Sequence, residues 1–81
     1  MQPPGTSLQE LTVPPGSPIT GHPLVELGLP AGTMIVLVEH GEAFAVPTGS
    51  TVLHEEDRLL ILGNDDSIGM FRARLDPPAE H

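Results

Sequence analysis

The chain of 81 residues contains no cysteine, no tryptophan, no tyrosine and no lysine. Without cysteine there is no disulfide staple and no thiolate metal site, which is compatible with a reducing compartment. With only two phenylalanines for aromatics, base stacking and aromatic-lined sugar sites are excluded. Cations are scarce: three Arg stand against eleven Asp and Glu, a net charge of −8. Such a surface repels phosphate backbones, so nucleic acid and anionic membrane surfaces are poor partners. Small cations and basic protein surfaces suit it better. No run approaches the roughly 18 apolar residues of a membrane span, and the N-terminus lacks the basic-then-apolar layout of a signal peptide. The chain reads as soluble, with no direct membrane insertion. At this length it makes one small domain, burying roughly 60–65% of its unfolded surface. Pairing with a second copy or a parent protein would help so marginal a core.

What the chain does contain centres on Thr33 to Pro47, TMIVLVEHGEAFAVP. Five apolar residues, Met34 to Val38, lead to Glu39, His40 and Gly41, and a second apolar run follows from Ala43 to Val46. Residues rich in Val and Ile fit a pleated, packed surface, and an X-Gly turn, here His40-Gly41, predicts a β-hairpin. The first arm does not alternate polar with apolar, which predicts cover on both faces. An isolated hairpin is not stable in water, so the remaining segments are read as its cover.

Residues 1–7, MQPPGTS, read as a linker or an appended end. Leu8 to Val13 predict a short strand with Leu11 and Val13 inward, ended by Pro14 and Pro15. His22 to Gly28 predict a short helix with Pro23 at its first position and Gly28 just past its end. Leu24 and Leu27 share a face of it. Thr51 to Leu53 is short and extended, and His54 to Asp57 is a charged corner. Arg58 to Leu62, RLLIL, predicts a buried strand. Asn64, Asp65 and Asp66 supply a cap and first-turn acids for a helix over 66–75 carrying Ile68, Phe71 and Leu75 at helical spacing. Residues 76–81 read as a flexible tail. The fold class expected is α+β, a small mostly antiparallel sheet with two helices packed on one face.

From Leu8 to Leu75 the order and spacing resemble the C-terminal domain of the regulator-of-potassium-conductance family, the TrkA-C domain. Gly16-Ser17 and Gly21 after the first strand, the Glu26-Leu27 helix end, Ile35-Val36 to Gly41, Val46-Pro47, and Val52-Leu53 followed by Asp57-Arg58-Leu59 carry the resemblance together. It implies a regulatory, ligand-sensing and dimerisation domain on the cytoplasmic side of the cell membrane. The parent would be a potassium or other monovalent-cation transport protein: an antiporter, a channel or an uptake system. Homodimers are the usual form, and cyclic di-AMP is the family's best-known ligand. A nucleotide-binding Rossmann half often precedes the domain. No GxGxxG occurs in this chain, so its ligands do not carry over; a parent membrane transporter or channel upstream fits equally well. The chain departs from the family at two places. Basic residues often precede the hairpin glycine, where this chain has Glu39 and His40. The residue before Asp57 is commonly glycine, where this chain has Glu56.

The pocket of related domains lies near the hairpin, which makes Ile35, Val36, Val38, His40 and Pro47 the candidate ligand-binding residues. Nothing supports catalysis: Ser17 beside Gly16 is not a GxSxG elbow, and no nucleophile arrangement is legible, so the chain is not read as an enzyme. The four histidines lack metal-ligand spacing such as HxxxH, and no metal site is expected from it. Two other readings are a purely structural dimerisation module and a divalent-cation or pH sensor. The latter would use Glu55, Glu56 and Asp57 as oxygen donors or His40 and His54 as titrating groups.

Overall fold

The computed structural model describes residues 5–78. Its elements run β1 (Thr6–Thr12), α1 (Leu24–Leu27), β2 (Thr33–His40), β3 (Ala43–Ala45), β4 (Arg58–Asn64) and α2 (Asp65–Leu75). The four strands form one antiparallel sheet in the order β1-β4-β2-β3. This is the α+β architecture the sequence predicts. The RLLIL run is central, paired on both sides, which accounts for its unbroken apolar character. The linker and tail assignments at residues 1–4 and 79–81 lie outside the described residues. Within the described part, β1 already begins at Thr6.

One face of the sheet is the core. Leu59 and Ile61 of β4, Leu11 of β1, and Ile35 and Val38 of β2 all point to it and are buried. Ile68, Phe71 and Leu75 of α2 close over them, as their helical spacing predicts, and Leu27 of α1 joins the same cluster. The start of α2 is built as its residues require: the Asn64 side chain accepts from the Ser67 N–H at 2.8 Å, and Asp65 and Asp66 occupy the first turn. Gly28 ends α1 with φ +59°, the left-handed turn that glycine takes without strain. Arg74 of α2 donates to the Leu27 and Gly28 carbonyl oxygens, satisfying acceptors that a one-turn helix leaves open.

Four local expectations are corrected. First, β2 is not covered on both faces. Ile35 pairs with Ile61 and Leu37 with Leu60, so Val36 is an extra residue, a β-bulge. The bulge lets Ile35 and Val38, three apart, both face the core. The lack of alternation in MIVLV therefore marks a change of phase, not two-sided burial. Second, the hairpin loop is Gly41-Glu42, flanked by the His40–Ala43 pair, one residue later than the His40-Gly41 turn expected. Gly41 alone has positive φ (+61°) there, the pattern of a turn with glycine first. Third, Pro23 precedes α1 in an extended conformation, so the helix begins at Leu24. Fourth, Thr51 to Leu53 forms only a bridge, Val52 to Pro23.

Among the described residues, no helix lies on the opposite face of the sheet. Its rows read across the strands as Leu8–Leu62–Met34, then Glu10–Leu60–Leu37, then Thr12–Arg58–Glu39–Phe44. Leu8, Met34 and Phe44 are at least half exposed.

Gly63 sits where the sheet is tightest. A Cβ there would lie 2.6 Å from the Gly32 carbonyl oxygen and 2.9 Å from Thr33 Cγ2. Gly63→Ala should therefore destabilise the fold by about 1–3 kcal/mol, read as a lower urea midpoint. An unchanged midpoint would mean that β2 and β4 do not approach this closely.

Candidate functional site

Two places gather the residues singled out in the sequence. The first is a groove of 330 Å³ between α1, the start of β2 and the turn after β3. Its walls are Leu24, Val25 and Leu29 on one side, Thr33, Met34 and Ile35 on another, and Pro47, Thr48 and Gly49 on the third. The backbone holds these walls together. Leu24 N–H donates to the Thr51 carbonyl and Val25 N–H to the Gly49 carbonyl, both at 2.9 Å. The turn is closed on itself: Thr48 N–H donates to Thr51 Oγ1 at 2.9 Å. Gly49 packs against Val25, whose Cβ lies 3.4 Å from where a glycine Cβ would stand. Among the described residues, no charged side chain lines this groove. Its chemistry is apolar contact plus the hydroxyls of Thr33 and Thr48.

Of the five candidate ligand-binding residues, Ile35 and Pro47 lie in this groove. Val38 is buried in the core. Val36 is the bulged residue, half-buried, and His40 stands at the far end of β2. Sequence reading missed Leu24, Val25 and Leu29 as walls. The signal was present in the short helix, whose apolar residues exceed what one turn can bury: Val25 is 74% exposed.

The second place is the end of the ladder beyond β4. The β2–β4 pairing runs to Glu39–Arg58, an ion pair in the structure. One residue further along each strand stand His40 and Asp57. His40 Nδ1 donates to Asp57 Oδ1, and Asp57 Oδ2 accepts from the His54 backbone N–H at 2.9 Å. The His40 and His54 rings meet with centroids 5.5 Å apart and planes inclined by 60°. Asp57 is a carboxylate only 1% exposed. The charged corner from His54 to Asp57 is therefore not solvent-facing throughout. Glu55 accepts from the Gly16 N–H at 3.0 Å, Glu56 faces solvent, and Asp57 turns inward, so the three acids do not converge. Among the described residues, no group of three or more His, Asp or Glu side chains could hold a metal ion.

Glu56 has φ +70° and is the one non-glycine residue with positive φ among those described. It is the third residue of the turn closed by the Asp57 N–H on the His54 carbonyl, a slot where a positive φ favours glycine. The backbone of this turn is held from below, since Glu56 N–H donates to Val13 O at 2.8 Å and Val13 N–H to Asp57 O at 2.9 Å.

With this geometry in view, comparison with known proteins is decisive. The TrkA-C domain pattern matches residues 8–76. The chain belongs to the TrkA-C domain family. A Trk system potassium uptake protein TrkA homolog of Archaeoglobus fulgidus is 30% identical over 69 residues, covering 85% of the chain; the chain spans 16% of that relative's length. Among solved structures, the RCK_C domain dimer of S. agalactiae BusR in complex with c-di-AMP superposes with a TM-score of 0.77. It is 24% identical and covers 88% of this chain and 91% of that one. The C domain of the potassium transport protein KtrA in complex with c-di-AMP gives 0.73 at 24% identity, covering 84% and 81%. These likenesses establish the fold. No helix among the described residues is long and apolar enough to cross a membrane.

Two outcomes test the corner. Glu56→Gly should raise stability by about 0.5–1 kcal/mol, the relief of a left-handed side-chain residue less the added freedom of the unfolded chain. Asp57→Asn should lower it by about 1.5–3 kcal/mol, since charge-assisted bonds to a buried carboxylate are lost. Glu42→Gln in the exposed hairpin loop should shift it by less than about 0.5 kcal/mol. Urea denaturation reads all three, and equal effects at Asp57 and Glu42 would contradict the buried placement of Asp57.

Proposed function

We propose that this TrkA-C domain is the ligand-sensing and dimerisation module of a potassium or other monovalent-cation transport protein, working on the cytoplasmic side of the membrane. The observation that carries the proposal is the apolar groove of Leu24, Val25, Ile35 and Pro47. It opens beside an edge strand, β3, that has no partner on its outer side. Phe44 on that strand and Val46 just beyond it are 64% and 78% exposed. A second copy related by a two-fold axis would cover these residues and bring two grooves together. Two joined grooves suit a ligand that is itself two-fold symmetric, and cyclic di-AMP is such a ligand. The names of two structural relatives include it, which supports the choice.

The charge pattern refines this reading. Each arginine is engaged outside the groove: Arg58 with Glu39, Arg72 with Gln9 and Arg74 with backbone carbonyls. The apolar walls would hold the adenine rings, with the phosphates toward solvent. Binding would then depend weakly on salt, in contrast to a site built on arginines. Ligand would act by favouring one pairing geometry of the two copies over another, and the parent transporter would read that geometry.

The chain should sediment as a dimer, and cyclic di-AMP should release heat in titration calorimetry. Val25→Asp, at a 74% exposed position, should abolish that heat while leaving the fold intact by circular dichroism. A dimer that gives no heat would leave a purely structural pairing module. A monomer at high concentration would overturn the pairing itself.

A further inference from the structure

We propose that the outer edge of β1 is a docking site for an extended, basic peptide segment of a partner protein, which adds to the sheet as a fifth strand. β1 and β3 are opposite edges of the sheet, so this site depends neither on the groove nor on the pairing argued above.

The backbone of β1 sets the chemistry. Val13 donates its N–H to the Asp57 carbonyl and accepts the Glu56 N–H at its own carbonyl. Facing residues of an antiparallel pair alternate between bonded and non-bonded, and the register carries that alternation back along the strand. Leu11, Gln9 and Ser7 are therefore bonded to Leu59, Ile61 and Gly63. Thr12, Glu10, Leu8 and Thr6 turn their N–H and C=O groups away from β4. Among the described residues, no strand lies on that side. Such a row is a template for another extended backbone.

The edge also lacks the usual blocks. β1 pairs with β4 from Thr6 to Thr12 without a bulge, and its sequence, TSLQELT, contains neither proline nor lysine. The opposite edge strand, β3, is three residues long, and Pro47 follows soon after it. Short length and proline close an edge; β1 has neither.

The bordering side chains select the occupant. A hollow of 260 Å³ runs between the edge and the end of α2, lined by Glu10, Leu11 and Thr12 on one side and Arg72, Leu75 and Asp76 on the other. Arg72 is engaged, donating to Gln9 Oε1 at 2.7 Å. Neither Glu10 nor Asp76 is in an ion pair among the described residues. A lysine or arginine on the incoming strand answers these carboxylates. Leu8 shares a face with Glu10 and is 50% exposed, so the segment that fits carries an apolar residue two positions from the basic one. A second copy fits less well: its own β1 has no cation, and each chain carries a net charge of −8.

The test uses a capped heptapeptide, Thr-Val-Thr-Lys-Thr-Val-Thr, added to the chain and followed by amide hydrogen exchange and calorimetry. Binding should newly protect the amides of Thr6, Leu8, Glu10 and Thr12. Leu8→Pro removes an outward N–H without breaking a bond to β4 and should abolish binding with the circular dichroism unchanged. Glu10→Gln should weaken binding by about 2- to 5-fold. Methylating alternate peptide nitrogens should abolish binding for one set and spare it for the other. Should Leu8→Pro fail to fold, the methylated peptides still decide the matter. Equal binding of both methylated sets, equal binding of the peptide with glutamate in place of lysine, or protection that maps to β3 would overturn the proposal. So would protection of the β1 amides that rises with chain concentration in the absence of peptide, the sign of a second copy at this edge.

Discussion

The structure depends on one constraint: a chain of this size carries enough helix to cover only one face of its sheet. The eleven residues of α2 lay Ile68, Phe71 and Leu75 over Leu59 and Ile61, and the single turn of α1 adds Leu27 at the margin. Burial of side chains of this kind, each contributing roughly 1.5–3 kcal/mol, is concentrated on that side. The other face keeps its leucines and Met34 in contact with solvent. Much of the domain's character follows from this imbalance. A sheet half covered by its own chain is a surface suited to association.

The fold was legible where a residue's chemistry acts locally. Asn64 followed by two acids reads as a helix start because a side-chain oxygen and the helix dipole need no tertiary partner. Gly28 reads as a helix end for a similar reason. The apolar run RLLIL reads as buried because a central strand has neighbours on both edges. Legibility failed where a feature depends on the partner strand. The Val36 bulge is defined only against β4, and no residue in MIVLV announces it. The turn was misplaced by one residue because Gly41 serves equally as second or first residue of a two-residue loop, and the pairing of His40 with Ala43 decides which.

The candidate sites divide in the same way. Ile35 and Pro47, singled out from the hairpin and its family resemblance, line one groove. Leu24 and Leu27 were read as cover for the hairpin; Leu27 is buried, whereas Leu24 turns toward the groove with the exposed Val25. The hardest feature to foresee was Asp57. In the sequence it is the last of three acids and looks solvated. In the structure it stands just before β4, out of water, beside an imidazole and without an arginine. Acidic runs are ambiguous for this reason: strand phase, not composition, decides which carboxylate turns inward.

That phase gives the Val36 bulge a consequence well beyond its own position. With Val36 paired to Leu60 instead of bulged out, Leu37 would face Leu59, Val38 would face Arg58, and Glu39 would arrive opposite Asp57. The rung would then set two carboxylates against each other in a buried place, which is costly. Bulging one residue out of the ladder instead delivers an imidazole to that carboxylate and leaves Glu39 for Arg58. The bulge therefore works as a frame-setter: whether Val36 is paired or bulged decides the electrostatics of a corner several residues away without changing any residue in it.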